Sequence, residues 1–330
     1  MKLYSNKYHD VEITEYTFLI TGGAGFIGSN LVEYLLKFNA KKVRVLDNLS
    51  NGYFSNIESF INLPNFEFIN GDICDFEICK RSMEGIDFVF HLAALGSVPR
   101  SIENPILTNL VNIGGFLNML EAARLEPGVK KFIYAASSST YGDSLISPKK
   151  EGNEGKPISP YAVTKAVNEM YAEVFSKIYN FHTIGLRYFN IFGPKQNPNN
   201  PYAAVIPIFA NNIINNNCIN IYGDGLNSRD FTFVENAVQA NVKMLSTNFK
   251  KHEVFNVGCG DETTLLDIIK ILEECSGKKS KILFKDNRSG DVKHSKADID
   301  KICSLVKYDP LFRISDGLNI TFNWYLNNLT

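Results

Sequence analysis

Between Thr17 and Gly185 the chain alternates short apolar runs with stretches of helical spacing. The runs are Phe18–Thr21, Val43–Leu46, Phe66–Asn70, Phe88–Leu92, Lys131–Ala136 and Thr183–Leu186; after the first, Leu31, Val32, Leu35 and Leu36 mark one face of an amphipathic helix. This alternation predicts a doubly wound, parallel α/β sheet. Residues 1–16 have mixed charge and no period, and read as an N-terminal extension packed on the surface. Beyond Arg187 the pattern changes. Three prolines fall between Gly193 and Tyr202, an asparagine-rich stretch spans Asn211–Asn217, Arg229–Leu245 reads as helix, and Phe255-Asn-Val-Gly reads as a strand returning to the sheet. These shifts divide the chain into a larger lobe, residues 1–187 and 231–262, and a smaller discontinuous α/β lobe, 188–230 and 263–330.

The first apolar run passes directly into Gly22-Gly23-Ala24-Gly25-Phe26-Ile27-Gly28. Gly22 permits a tight turn, Gly25 lets backbone approach a phosphate, and Gly28 lets the helix pack closely on the strand. The helix then aims its free N–H groups and positive dipole end at a pyrophosphate. The second run ends at Asp47, spaced to meet the adenosine ribose, where a carboxylate repels a 2′-phosphate. The larger lobe is therefore expected to be a Rossmann-type domain that takes NAD in preference to NADP, leaving the smaller lobe for substrate.

Composition narrows the partners. With 330 residues, 45% of them hydrophobic, the chain can bury a substantial core. A net charge of −1 without long Lys/Arg blocks argues against nucleic acid or anionic membrane, and no apolar stretch reaches bilayer length. Cys74, Cys79, Cys218, Cys259, Cys275 and Cys303 show no C-x-x-C spacing, and the N-terminus lacks the apolar core of a secretion signal. The expectation is a cytoplasmic enzyme without a metal, its scattered histidines serving surface or packing.

The chemistry gathers at strand ends. Lys131–Ala136 leads into Ser137-Ser138-Ser139, and in an open parallel sheet the carboxyl ends of strands face the ligand crevice. Ser159-Pro160 is a helix start, which sets Tyr161 and Lys165 one turn apart on one face. A free phenol has a pKa of about 10, but a neighbouring ammonium and a cationic nicotinamide ring both favour phenolate. Tyr161 is then expected to take a hydroxyl proton while the same carbon is oxidised, with Ser137 hydrogen-bonding the reacting oxygen and Lys165 also anchoring the nicotinamide ribose.

The ordered set Gly22-x-x-Gly25-x-x-Gly28, Asp47, Ser137 and Tyr161-x-x-x-Lys165 resembles the extended short-chain dehydrogenase/reductase family over nearly the whole chain. That resemblance implies further cofactor contacts from Phe26, Ile27, Asn48, Ser50, Gly52, Asp72, Ile73, Leu92 and Ala93. Arg187-Tyr-Phe-Asn190, Asn227-Ser-Arg229-Asp230-Phe and Arg288-Ser-Gly-Asp291 look like the elements with which nucleotide-sugar epimerases hold uridine diphosphate. They imply Asn190 at the diphosphate, Arg229 and Arg288 on phosphates, Asp291 on ribose, and Asn227 and Tyr222 in the substrate site; the forked donors of arginine suit phosphate. The blocks Ala93–Ser101 and Tyr202–Pro207 are similar to those of bacterial UDP-N-acetylglucosamine 4-epimerases of surface-polysaccharide pathways. By that resemblance Ser97, Ser138 and Ser139 lie near the sugar, and Ala204 and Val205 contact the base. Ser295 lines a sugar pocket, where its small side chain leaves room for an N-acetyl group.

The expected reaction is therefore reversible C4 epimerisation of UDP-N-acetylglucosamine and UDP-N-acetylgalactosamine through a 4-keto sugar, with UDP-glucose and UDP-galactose an open second pair. A 4,6-dehydratase needs the Asp-Glu pair that its relatives carry where this chain has Ser138-Ser139. UDP-glucuronate 4-epimerase stays open through Arg100, and a non-catalytic dinucleotide-binding regulator through the fold alone. In similar proteins the long apolar helices expected over Leu107–Leu120 and Val167–Ile178 form a two-fold four-helix interface, which implies a homodimer, although the same faces can also be covered within one chain.

Overall fold

The computed structural model describes residues 3–199, 202–249, 251–286 and 293–328. The larger lobe winds β1 (Thr17–Thr21), α1 (Phe26–Lys37), β2 (Lys42–Asp47), β3 (Phe66–Asn70), α2 (Phe76–Met83) and β4 (Phe88–His91) in succession. There follow α3 (Val98–Glu103), α4 (Pro105–Asn109), a π-helical stretch Leu110–Gly115, α5 (Phe116–Leu125), β5 (Lys131–Ser137), α6 (Pro160–Tyr179) and β6 (Thr183–Tyr188). The rest of the chain adds β7 (Ile191–Phe192), α7 (Val205–Ile214), β8 (Ile219–Tyr222), β9 (Ser228–Arg229), β10 (Thr232–Phe233), α8 (Val234–Lys243), β11 (Glu253–Val257), β12 (Thr263–Thr264), α9 (Leu265–Ser276), β13 (Ile282–Lys285), β14 (His294–Ser295), α10 (Asp300–Val306) and α11 (Ile314–Asn328).

Seven strands form one sheet in the order β11-β6-β5-β4-β1-β2-β3, every pair parallel. All of β1 and β4 is buried, as a sheet covered by helices on both faces requires. The chain leaves β1 toward β2 on one side and β4 on the other, so a crevice opens beyond the carboxyl ends of these two strands. A second hydrophobic core gathers Phe209, Ile221, Ile268 and Phe322 together with Phe231 and Phe233, residues that the sequence division assigned to the larger lobe. Among the described residues no helix is long and apolar enough to cross a membrane, and no group of three or more His, Cys, Asp or Glu could hold a metal ion.

Three expectations change. The N-terminal extension is not a surface appendage: Tyr4, Tyr8 and Ile13 join the core beside α1. Tyr4 Oη bonds Asn30 Oδ1 at 2.5 Å, and Tyr8 Oη bonds Glu235 Oε1 at 2.7 Å. The segment read as one helix from Arg229 begins its helix only at Val234, because residues 228–229 and 232–233 pair with strands elsewhere. The helix expected over Leu107–Leu120 is interrupted by the π-helical stretch, where Asn112 turns inward. Its side chain accepts from Leu95 N at 2.8 Å and donates to Thr164 Oγ1 at 3.2 Å, tying the loop after β4 to α6.

Candidate active site

The glycine turn follows β1. Gly22 has φ +69°, and a Cβ there would lie 2.8 Å from Ala93 N; a Cβ on Gly28 would lie 2.2 Å from Gly22 O. Both positions are closed to any side chain. Gly25 is the N-cap of α1 and supplies no side-chain cap, so Phe26, Ile27 and Gly28 meet the crevice with their leading backbone. Asp47 closes β2 with its carboxylate buried, accepting from Ala24 N at 3.0 Å and Leu49 N at 2.8 Å. Burial pushes its pKa up, against the pull of those two N–H bonds. An uncapped helix terminus beside an open backbone turn and a ribose-spaced carboxylate fits a dinucleotide.

These groups line a cleft of about 570 Å³. Its wall includes Gly22, Gly25, Phe26, Ile27, Gly28, Asp47, Asn48, Ser50, Gly52, Ile73, Leu92 and Ala93, and continues through Ser97, Ser137, Tyr161, Lys165, Asn190 and Ala204. The cofactor candidates and the proposed reacting groups therefore share one cavity. Asp72 stands behind the wall, accepting from Asn48 Nδ2 at 2.8 Å.

Ser159 caps α6 by accepting from Ala162 N at 3.2 Å, and Pro160 begins the helix. Loss of such a cap typically costs about 1 kcal/mol. Lys165 is buried, its Nζ donating to Ala135 O at 2.7 Å and lying 5.9 Å from the Tyr161 ring centroid. Burial lowers the Lys165 pKa to about 8, Glu169 pulling it back. The Tyr161 phenol behaves otherwise than its spacing to Lys165 suggests. Burial raises its pKa, and hydrogen bonding to Ser137 only offsets this in part. Lys165 Nζ gives its hydrogen bond to the Ala135 carbonyl, so burial sets the direction of the phenol's shift.

The remaining sugar candidates sit outside the cleft wall. Ser138 and Ser139 form a short 3₁₀ turn after β5, and Ser139 Oγ is buried without a hydrogen-bond partner among the described residues. Val205 opens α7, Tyr222 ends β8, and Asn227 precedes β9. Arg229 and Ser295 are paired in register across β9 and β14, and Arg229 Nη1 donates to Ser228 O at 2.8 Å and Lys293 O at 3.1 Å. Arg288 and Asp291 lie outside the described residues. Sequence reasoning missed Asn51, Tyr53, Lys195, Gln196, Asn197 and Tyr202, which also line the cleft. Gln196 Oε1 is a second buried acceptor without a partner among the described residues. These residues lie on loops without periodicity; three prolines mark the loop that carries Lys195, Gln196, Asn197 and Tyr202, and nothing comparable marks Asn51 and Tyr53.

Residues 18–258 match the NAD dependent epimerase/dehydratase family. A UDP-N-acetylglucosamine 4-epimerase from Methanobrevibacter ruminantium, solved with UDP-N-acetylmuramic acid, is 37% identical with a TM-score of 0.89, covering 94% of this chain and 98% of that one. A UDP-glucose 4-epimerase from Thermotoga maritima, solved with UDP-glucose, is 35% identical with a TM-score of 0.89, covering 95% and 100%. A UDP-glucuronic acid 4-epimerase from Bacillus cereus, solved with UDP-glucuronic acid and NAD, is 32% identical with a TM-score of 0.87, covering 94% and 99%. Shared fold and sequence identity along nearly the full length make the chain an NAD-dependent enzyme of the epimerase/dehydratase family.

Proposed function

We propose that the protein is a UDP-sugar 4-epimerase whose preferred pair is UDP-N-acetylglucosamine and UDP-N-acetylgalactosamine. The observation that carries the reading is that Ser137, Tyr161 and Lys165 share one wall with the glycine turn, Lys165 Nζ lying 5.9 Å from the Tyr161 ring centroid. Bound NAD supplies reversible oxidation and reduction at the sugar C4. Tyr161 Oη takes the C4 hydroxyl proton and returns it to the other epimer, Ser137 Oγ orients the sugar oxygen, and Lys165 keeps a positive charge behind the phenol. Ser138 and Ser139 provide hydroxyls where elimination needs carboxyl groups, so the 4-keto sugar is reduced again without losing water.

The preference for an acetylated, uncharged sugar rests on the resemblance that puts small Ser295 at the sugar, though it lies outside the cleft wall, and on where the cations go. Among the described residues lining the cleft the cations are Lys165, held by Ala135 O, and Lys195, paired with Glu33 at 2.7 Å. The Arg100 guanidinium stacks 4.7 Å over the Tyr202 ring and donates to Asn51 Oδ1 at 3.2 Å, commitments that disfavour a uronate carboxylate. A homodimer belongs to the same proposal. Met170, Val174 and Ile178 form an i, i+4, i+8 stripe on α6, exposed by 63%, 46% and 67%, and Ile106 on the adjoining α4 is 82% exposed. A second copy presenting the same helices buries these side chains.

The test is product analysis by chromatography with UDP-N-acetylglucosamine, UDP-glucose and UDP-glucuronate. Formation of UDP-N-acetylgalactosamine at the highest kcat/KM supports the reading. Faster turnover of UDP-glucuronate overturns the sugar preference, and binding without any conversion favours a regulator.

A further inference from the structure

Asp230 lies wholly buried between Arg229 and the short strand β10. Its carboxylate is met by backbone N–H groups instead of a cation. Oδ1 accepts from Cys259 N at 2.8 Å and also from the Thr232 hydroxyl at 3.4 Å, and Oδ2 accepts from Gly260 N at 2.9 Å and Ala297 N at 3.3 Å. Its own N–H donates to Ser295 O at 2.9 Å, and its carbonyl accepts from Asn190 Nδ2 at 3.1 Å. One residue thus joins the end of β9, the loop after β11, the segment after β14, and Asn190 on the cleft wall. Gly258 allows the approach: a Cβ there would fall 2.7 Å from Asp230 Oδ2 and 2.7 Å from the Ala297 Cβ.

Burying a carboxylate without a cation is costly, and burial accordingly raises its pKa to about 6 against the pull of the three N–H bonds. Such N–H bonds to an ionised acceptor are stronger and more directional than neutral ones, so they fix the relative placement of segments otherwise held by two-residue strands. We propose that Asp230 is a positioning residue, holding Arg229, Ser295 and Asn190 in mutual register so that the lobe meets a nucleotide diphosphate sugar preorganised. This rests on the UDP-sugar reading above. Asp230 itself touches no reacting atom; it acts through its neighbours.

Two variants test it, Asp230→Asn, which turns one accepting oxygen into an amide donor facing N–H groups, and Gly258→Ala, which pushes the carboxylate aside but keeps the acid. The readouts are KM and kcat for UDP-N-acetylglucosamine, NAD content and melting temperature. The expected result is a KM raised by about tenfold or more, with kcat within about threefold of wild type and NAD content retained, the pattern of lost uniform binding. A merely structural role lowers NAD content and melting temperature with KM unmoved in the folded fraction. If Asp230→Asn fails to fold, Gly258→Ala is read by the same criteria. Variants that fold with KM within about twofold of wild type overturn the positioning role alone. A wild-type protein that neither binds nor converts any UDP-sugar overturns the substrate reading, and this inference with it.

Discussion

Tyr161→Phe removes one oxygen and leaves the ring, so its effect isolates the proton transfer. The half-buried side chain lines the cleft with Ser137, which acts on the phenol as a hydrogen-bond partner and whose Oγ still accepts from Ser139 N at 3.1 Å once the phenol is gone. Loss of one hydrogen bond of this kind changes stability by about 1 kcal/mol, and melting should move by only a few degrees. The catalytic loss is far larger. An ordinary phenol, with a pKa of about 10, is ionised in roughly one molecule in 10³ at pH 7, equivalent to about 4 kcal/mol, and burial makes the protein alone worse still. The enzyme must recover that deficit when cofactor binds, and without the phenol the recovery has no acceptor to act on. Turnover should fall by roughly 10²-fold to 10⁴-fold, which is about 3 to 5 kcal/mol in the barrier. The assay is the initial rate of UDP-N-acetylgalactosamine formation under saturating UDP-N-acetylglucosamine, alongside NAD content and melting temperature. A variant that turns over within about threefold of wild type refutes Tyr161 as the proton acceptor. So does one that loses turnover only in proportion to lost NAD.

Gly28→Ala should purify with less than about a tenth of the NAD of wild type, since a Cβ 2.2 Å from Gly22 O forces the turn and the helix N-terminus apart; nucleotide extraction at wild-type stoichiometry contradicts this. Ser295→Tyr should abolish turnover of UDP-N-acetylglucosamine while UDP-glucose turnover survives, because filling a pocket penalises the ligand that needs its space. Equal loss on both sugars points to general damage, and no loss on either removes Ser295 from the pocket. Met170→Asp combined with Val174→Asp should shift the particle from dimer to the 37.1 kDa monomer in light scattering; an unchanged mass removes α6 from the interface.

The parts legible in the sequence are those whose signal is local. Phe18 to Gly28 carries strand, turn and helix start in consecutive residues, so its signal is complete in the segment even though β1 also pairs with the distant β4. The six runs expected as strands all lie in the central sheet, because parallel strands covered on both faces must be apolar throughout. The less legible parts depend on distant partners. Tyr4 finds Glu235, 231 residues away, so nothing periodic in residues 1–16 announces burial. Strands β9 and β10 are two residues long and exist because His294, Ser295, Ile191 and Phe192 pair with them. Asn112 is one of several polar residues between Leu107 and Leu120, and only the π-helical stretch shows why it is the one tied to Leu95 and Thr164. The one-turn spacing of Tyr161 and Lys165 was legible from Ser159-Pro160 onward, but the direction of the Tyr161 pKa shift was not, since burial is a property of the whole fold.

The most direct test of the central claim, reversible oxidation at C4 with Tyr161 moving only the hydroxyl proton, is turnover of UDP-N-acetylglucosamine in D₂O followed by NMR of the product. The predicted product is UDP-N-acetylgalactosamine with protium retained at C4 and C5, because the hydrogen taken from C4 is the one returned. Deuterium at C4 contradicts that exchange-free return. Deuterium at C5, or a 4-keto-6-deoxy sugar, contradicts epimerisation itself and moves the protein to the dehydratases of its family.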